Sequence, residues 1–498
     1  MAEARAKMVQ ADDALLSYGT ATELAEALQK RKISALELAD HVIARIEKLD
    51  GMLNAVVVRD FERGRAAAKA ADAALARGER NPLLGIPMVV KESFYVAGLP
   101  TTWGVPEFKD WIAPEDATMI ARVKAAGAVI VGKTNVPFLL GDWQSHNEIY
   151  GATKNPWDLT RTPGGSSGGS SAALAAGFGP LSLGSDIGGS LRTPAHYCGI
   201  CAHKPTLGLV PMGGHIVPGT VLRENGLSVI GPMARSAADL SLALDVTAGP
   251  EETREGIGYR LALPAPRHRE LKAFRVFIID DHPLLPTAKT MRTAIERLAQ
   301  QLAKAGVKVA RASPLFPDLA ESGRLYMRLL MTALAVRWPA DLYDEALAAA
   351  KTLKPDDRSL SAEGARGAVL SYREWAAADA ARVRLQKQWS AFFREWDVVI
   401  CPPMPTPAFP NDQMTPISGR SIDIDGKNYP YFDQMVWPGV ATAPGLPSTA
   451  VPNGLSETGL PLGVQIVGPY LEDRTPLIFA ELMEREFGGF VPPPGYSG

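Results

Sequence analysis

Gly127-Ala-Val-Ile-Val-Gly132-Lys133-Thr134 matches, letter for letter, the glycine-rich loop that cradles nucleotide phosphates. Such a loop follows its strand and wraps phosphate with bare backbone. Here the loop positions are Ala-Val-Ile-Val, which is itself strand material, so the context for a nucleotide is missing. Gly164-Gly165-Ser166-Ser167-Gly168 fits the G-x-S-x-G elbow that exposes a nucleophilic serine. An elbow needs a strand running into the serine, and the preceding stretch, with Pro156 and Pro163, is poor strand material. Cys198-Gly-Ile-Cys201, with His203 nearby, has the spacing of half a zinc site. No second cysteine pair completes it, Cys401 stands alone, and no H-E-x-x-H pattern occurs, so small buried residues at a helix end is the preferred reading.

Three other stretches hold together better. They are Gly85-Ile86-Pro87-Met88-Val89-Val90-Lys91-Glu92, then Arg161-Thr162-Pro163-Gly164-Gly165-Ser166-Ser167-Gly168-Gly169-Ser170, then Gly184-Ser185-Asp186-Ile187-Gly188-Gly189-Ser190-Leu191-Arg192. Ser190 stands 24 residues after Ser166. With Gly132-Lys133-Thr134-Asn135, Lys204-Pro205-Thr206 and Leu462-Gly463-Val464-Gln465, this ordered set resembles the amidase signature family. The likeness runs from about residue 20 to about 490 and is weakest between 240 and 395.

Position by position, the resemblance implies Ser190 as nucleophile, Lys91 as general base, and Ser166, after a cis peptide bond, as the bridge between them. It also implies an oxyanion hole built from the backbone N–H groups of Ile187, Gly188, Gly189 and Ser190, with no metal and no organic cofactor. The residue types suit those roles. A serine hydroxyl attacks only when a base takes its proton. Lysine is such a base only when neutral, so its reference pKa of about 10.4 must fall, which burial behind Met88, Val89 and Val90 would achieve. A hydroxyl both donates and accepts, so Ser166 can pass a proton. Asp186 and Arg192 are expected to hold the loop, and Ser190 is also placed to cap a helix near 191–200.

The segment 138–149 resembles the part of the family that lines the acyl pocket, so Leu140, Gly141 and Trp143 are candidate substrate-binding residues. Many relatives carry a glutamate three residues after Asn135; this chain has Phe138. With Trp437, that favours a small apolar or aromatic amide as substrate. The alternative is the glutamine-hydrolysing subunit of a tRNA-dependent amidotransferase.

Composition agrees with a small neutral substrate. Lys and Arg total 52 against 54 Asp and Glu, so nothing draws the chain to nucleic acid or to an acidic membrane surface. Three cysteines make no disulfide scaffold and suit a reducing compartment. No run of about 18 apolar residues and no secretory leader is evident, so a cytoplasmic protein with no membrane contact is expected. A homodimer is open.

The elements that must position these residues alternate. Residues 20–48 read as two amphipathic helices, capped by Thr22 or Ser34, and 60–79 as an Ala-rich helix. Strands are expected at 87–90, 128–131, 275–279, 397–400, 448–451 and 462–467. Helices are expected at 116–126, 171–177, 289–305 and across 341–390. That alternation argues α/β architecture. The resemblance implies one domain over 1–498, a central mixed β-sheet flanked by helices on both faces. Within it, 1–75 is a helical N-terminal extension, 76–240 the signature core, 241–395 a variable helical region and 396–498 the C-terminal part of the core.

Overall fold

The structure, a computed structural model, describes residues 13–221 and 225–496. An α/β fold is built on one mixed sheet of 11 strands. In chain order these are β1 (Val56–Arg59), β2 (Pro87–Lys91), β3 (Val129–Thr134), β4 (Leu181–Asp186), β5 (Cys201–Lys204), β6 (Val229–Ala234), β7 (Arg275–Ile278), β8 (Lys308–Ala310), β9 (Val398–Cys401), β10 (Ser448–Leu455) and β11 (Pro461–Val467). Across the sheet they run β1-β3-β2-β4-β6-β5-β10-β11-β9-β7-β8. β2 is parallel to both β3 and β4, and every residue of those three strands is buried. Continuous apolar runs such as Met88-Val89-Val90 are what a strand covered on both faces requires.

β7 and β8 come from the 241–395 stretch and complete one edge, β7 lying parallel to β9. Between them Lys289–Lys304 forms an amphipathic helix, with Met291, Ile295, Leu298 and Leu302 buried at helical spacing. The long Ala-rich reading at 341–390 resolves into three helices, Ala340–Thr352, Leu360–Ala368 and Tyr372–Phe392, the last two opened by Ser359 and Ser371 caps.

Near the N-terminus, Ala21–Gln29 and Ala35–Leu53 are the two expected helices. Ser34 caps the second in a capping box with Glu37. The first is capped by Thr20, not Thr22, because Thr20 stands three residues before Glu23 and closes the same reciprocal box. Thr22 instead donates its hydroxyl to Asp239 at 2.9 Å, tying the helix to the core. The strands at 201–204, 229–234 and 308–310 escaped the sequence pattern: Cys201-Ala-His-Lys204 and the Gly231-Pro232 interruption lack an apolar run or alternation.

The P-loop letters fall on β3. Lys133 is fully buried and donates to the Pro100 carbonyl and to Thr101 Oγ1 (2.7 Å), so it ties main chain together. Cys198 and Cys201 are buried around a helix end, their thiols directed at the Pro163 and Arg235 carbonyls. No helix among the described residues is long and apolar enough to cross a membrane.

Candidate active site

Lys91 is the last residue of β2, and β4 runs beside it in parallel with Val90 opposite Leu183. The register sets Lys91 and Ser185 at the carboxyl ends of neighbouring strands, where α/β sheets place ligands. Lys91 Nζ donates to Ser166 Oγ at 2.6 Å and to Ser185 Oγ at 2.9 Å. Among the described residues no carboxylate forms an ion pair with it. Burial drives its pKa from the ordinary lysine range down to about 7, against an opposing pull from Asp186.

Ser166 follows a cis peptide bond from Gly165 and stands just ahead of the helix Gly168–Ala175. That helix is made only of Gly, Ser, Ala and Leu, and all of it is buried. Its hydroxyls are matched to partners: Ser170 meets Thr134 Oγ1 at 2.7 Å and Ser182 Oγ at 3.0 Å, and Ser171 donates to the Pro194 carbonyl at 2.6 Å. Buried polar groups need such partners, and here they fix the segment that carries Ser166.

Ser190 lies on the turn between β4 and the helix Arg192–Cys198. It does not cap that helix; Leu191 occupies the cap position and no side chain bonds there. The turn is organised by Asp186. Its carboxylate accepts the N–H of Gly189 (2.9 Å) and of Leu191 (3.0 Å), and both its oxygens receive the Arg192 guanidinium, at 2.9 and 3.1 Å. Arg192 reaches on to Gln465 Oε1, Thr442 Oγ1 and the Pro438 carbonyl, fastening the turn to the C-terminal strands. Burial alone would raise the Asp186 carboxyl, but Arg192 and the Leu191 N–H overcome it and hold it below the usual carboxylate range. Gly189 sits at φ +92°, where a Cβ would lie 2.7 Å from Pro438 Cγ and from Thr193 Oγ1, so only glycine fits.

Among the described residues, the N–H groups of Ile187, Gly188 and Ser190 meet no acceptor. Gly189 departs from the expected donor set, because its N–H is already taken by Asp186. The Ser166–Ser190 bridge is also not formed as a hydrogen bond; the two segments are joined by Ser167 N–H to the Ser190 carbonyl at 3.3 Å. Lys91, Ser166 and Ser185 are thus brought into direct contact, with the Ser190 turn held alongside.

The three pocket candidates separate. Leu140 is half-buried against Trp103, Val105 and Val217, and Gly141 is exposed. Trp143 is 3% exposed, packed against the rings of Tyr431 and Phe432, and its indole N–H donates to the Gly188 carbonyl at 2.8 Å. It stands behind the turn that carries Ser190. Trp437 is fully buried. Ser185 was missed by sequence reasoning although it lies inside the third motif; the signal was its place one residue before Asp186 on a strand that must pair with β2.

A family model described as Amidase matches residues 37–477. The chain is 34% identical to the glutamine-dependent relative from Anaeromyxobacter dehalogenans (strain 2CP-C) named as the first subunit of glutamyl-tRNA(Gln) amidotransferase, over 95% of this chain and 97% of that protein. It is 35% identical to the putative amidase AmiB2 of Mycobacterium tuberculosis (strain ATCC 25618 / H37Rv), over 94% of this chain and 96% of the other. Among solved structures it resembles 6-aminohexanoate cyclic dimer hydrolase complexed with substrate, with a TM-score of 0.76 and 26% identity over 97% of this chain and 99% of that one.

Proposed function

Because this chain belongs to the amidase family, the amidase signature enzymes, we propose that it hydrolyses the C–N bond of a small amide through an acyl-enzyme on Ser190. The observation that carries this reading is the fully buried Lys91 Nζ, 2.6 Å from Ser166 Oγ and held near a pKa of 7, beside a serine turn with open N–H groups. Neutral Lys91 draws a proton from Ser166, which takes one from Ser190 as its oxygen bonds to the amide carbonyl carbon. The carbonyl oxygen, now negative, lies against the N–H groups of Ile187, Gly188 and Ser190. The C–N bond breaks as the proton returns through Ser166 to the leaving nitrogen. Water then attacks the acyl carbon, delivers its proton by the same route and frees Ser190. The Ser166–Ser190 contact, open in this structure, closes when substrate seats; such bonds commonly tighten only in the substrate complex. Every step uses groups on this chain, and no metal or cofactor is called on.

The half-buried Leu140, beside Trp103, Val105 and Val217, supports an apolar or aromatic acyl group. All 498 residues are read as one catalytic domain, since the sheet draws strands from both sides of the helical stretch 319–392. The second reading, the glutamine-hydrolysing component of a tRNA-dependent amidotransferase, is favoured by the 34% identity to a glutamyl-tRNA(Gln) amidotransferase component along nearly the whole chain.

One panel tests both: an aliphatic amide, an anilide, an amino-acid amide and glutamine, offered to wild type and to Ser190→Ala. Cleavage of the anilide or aliphatic amide by wild type, abolished in Ser190→Ala, is the expected result. Turnover of glutamine alone moves the amidotransferase reading ahead. Undiminished cleavage by Ser190→Ala would end the acyl-enzyme scheme.

A further inference from the structure

We propose that Tyr326 is a positioning residue for the oxyanion site, aiming the Gly188 N–H by holding the carbonyl on the other side of the same peptide. The inference rests on the acyl-enzyme reading above. Tyr326 lies on the helix Leu319–Ala335, within the part of the sequence that least resembles the family. It is wholly buried, and its hydroxyl donates to the Ile187 carbonyl at 2.6 Å. A trans peptide is planar, with its C=O and N–H pointing opposite ways. Fixing the Ile187 oxygen therefore fixes the direction of the Gly188 N–H, which is one of the open donors.

The turn needs such a tether. Gly188 and Gly189 are adjacent, and glycine backbones have the widest conformational choice. The peptide after Gly188 is pinned at both ends: Trp143 holds its carbonyl at 2.8 Å and Asp186 holds its N–H at 2.9 Å. The peptide before Gly188 has only Tyr326, on its carbonyl, and its N–H is left free for a ligand. Burial, aided by the negative Asp186, raises the Tyr326 hydroxyl above the ordinary phenol range, so it stays a protonated donor. Its seat is made by the helix Val436–Thr442, where a Cβ on Gly439 would come within 2.5 Å of Tyr326 Cδ1. A donor preset toward the developing negative charge lowers the barrier without rearranging during the reaction.

The test uses the full chain and a fluorophosphonate. Ser190 oxygen bonds to phosphorus, fluoride leaves, the serine proton passes to Lys91, and the phosphoryl oxygen occupies the oxyanion position. Tyr326→Phe removes only the hydroxyl. Its maximal labelling rate is expected to fall about 10-fold, with the half-saturating concentration and the melting temperature little changed. Gly439→Ala displaces the ring while keeping the hydroxyl, and the same rate should fall. If Tyr326→Phe does not fold, Gly439→Ala decides. Labelling of the folded variant at the wild-type rate, or a loss carried wholly by the half-saturating concentration, overturns the role of Tyr326. The Ser190→Ala control separates the two levels. If it is blank, the acyl-enzyme reading stands whatever Tyr326 does; if it labels like wild type, that reading falls and takes this inference with it.

Discussion

The helices Gly168–Ala175 and Ala340–Thr352 are both short and Ala-rich, yet every residue of the first is buried and none of the second is. The first has Gly and Ser in half its positions, a poor composition for a free helix, and it exists because the sheet and its neighbours enclose it. The second is built of good helix formers, exposes Leu342 and Tyr343, and needs little from the rest of the fold. Chemistry sits at the enclosed one. A buried lysine can be neutral near pH 7, and a buried hydroxyl chain can be held in one arrangement, only where water is excluded. Between these extremes, the helix Leu319–Ala335 belongs by sequence with the exposed region but sends Tyr326 to the enclosed one. The variable part of the chain therefore reaches the site through single contacts rather than as a whole.

The contrast can be broken hardest at Lys91. Lys91→Met keeps an apolar stem of similar length and removes the base, so kcat/KM on whichever amide is cleaved should fall by about 10²–10⁴-fold. In the wild type the active form is the neutral one, so kcat/KM should rise with pH through an inflection near 7. A flat profile between pH 6 and 8 would show that another group limits the rate. Next comes the ion pair beneath the Ser190 turn. Arg192→Met leaves the Asp186 carboxylate buried without its cation, and unfolding in urea should report a loss of about 3–5 kcal/mol. A loss below about 1 kcal/mol would mean that the turn is held by the main-chain bonds alone. Smaller again is Ser170→Ala, which strips a shared partner from Thr134 and Ser182; about 1–3 kcal/mol is expected from the same measurement. At the far end stands Leu342→Ala on the exposed helix. It should change stability by less than about 0.5 kcal/mol, and a larger effect would show that this helix is not independent of its surroundings.

The sequence alone determined the kinds of element and the chemistry that residue types permit. Met88-Val89-Val90 and Val398-Val399-Ile400 are legible as buried strands because a strand covered on both faces must be apolar throughout. The Thr20–Glu23 and Ser34–Glu37 boxes are legible because they are local, though Thr22 drew attention away from Thr20. Lys91, Ser166 and Ser190 were singled out by three ordered motifs, and the structure brings the first two into contact. Only the tertiary structure decided what those residues touch. Ser185 reaches Lys91 through the register of two strands, the Gly189 N–H is lost to Asp186, Trp143 turns its indole to the back of the Ser190 turn, and Tyr326 arrives from a helix 136 residues after Ser190. Each of these is a distance of a few ångströms between residues remote in the chain or facing one another across a turn. Such distances follow from how strands align and helices pack, and no local pattern of side chains encodes them.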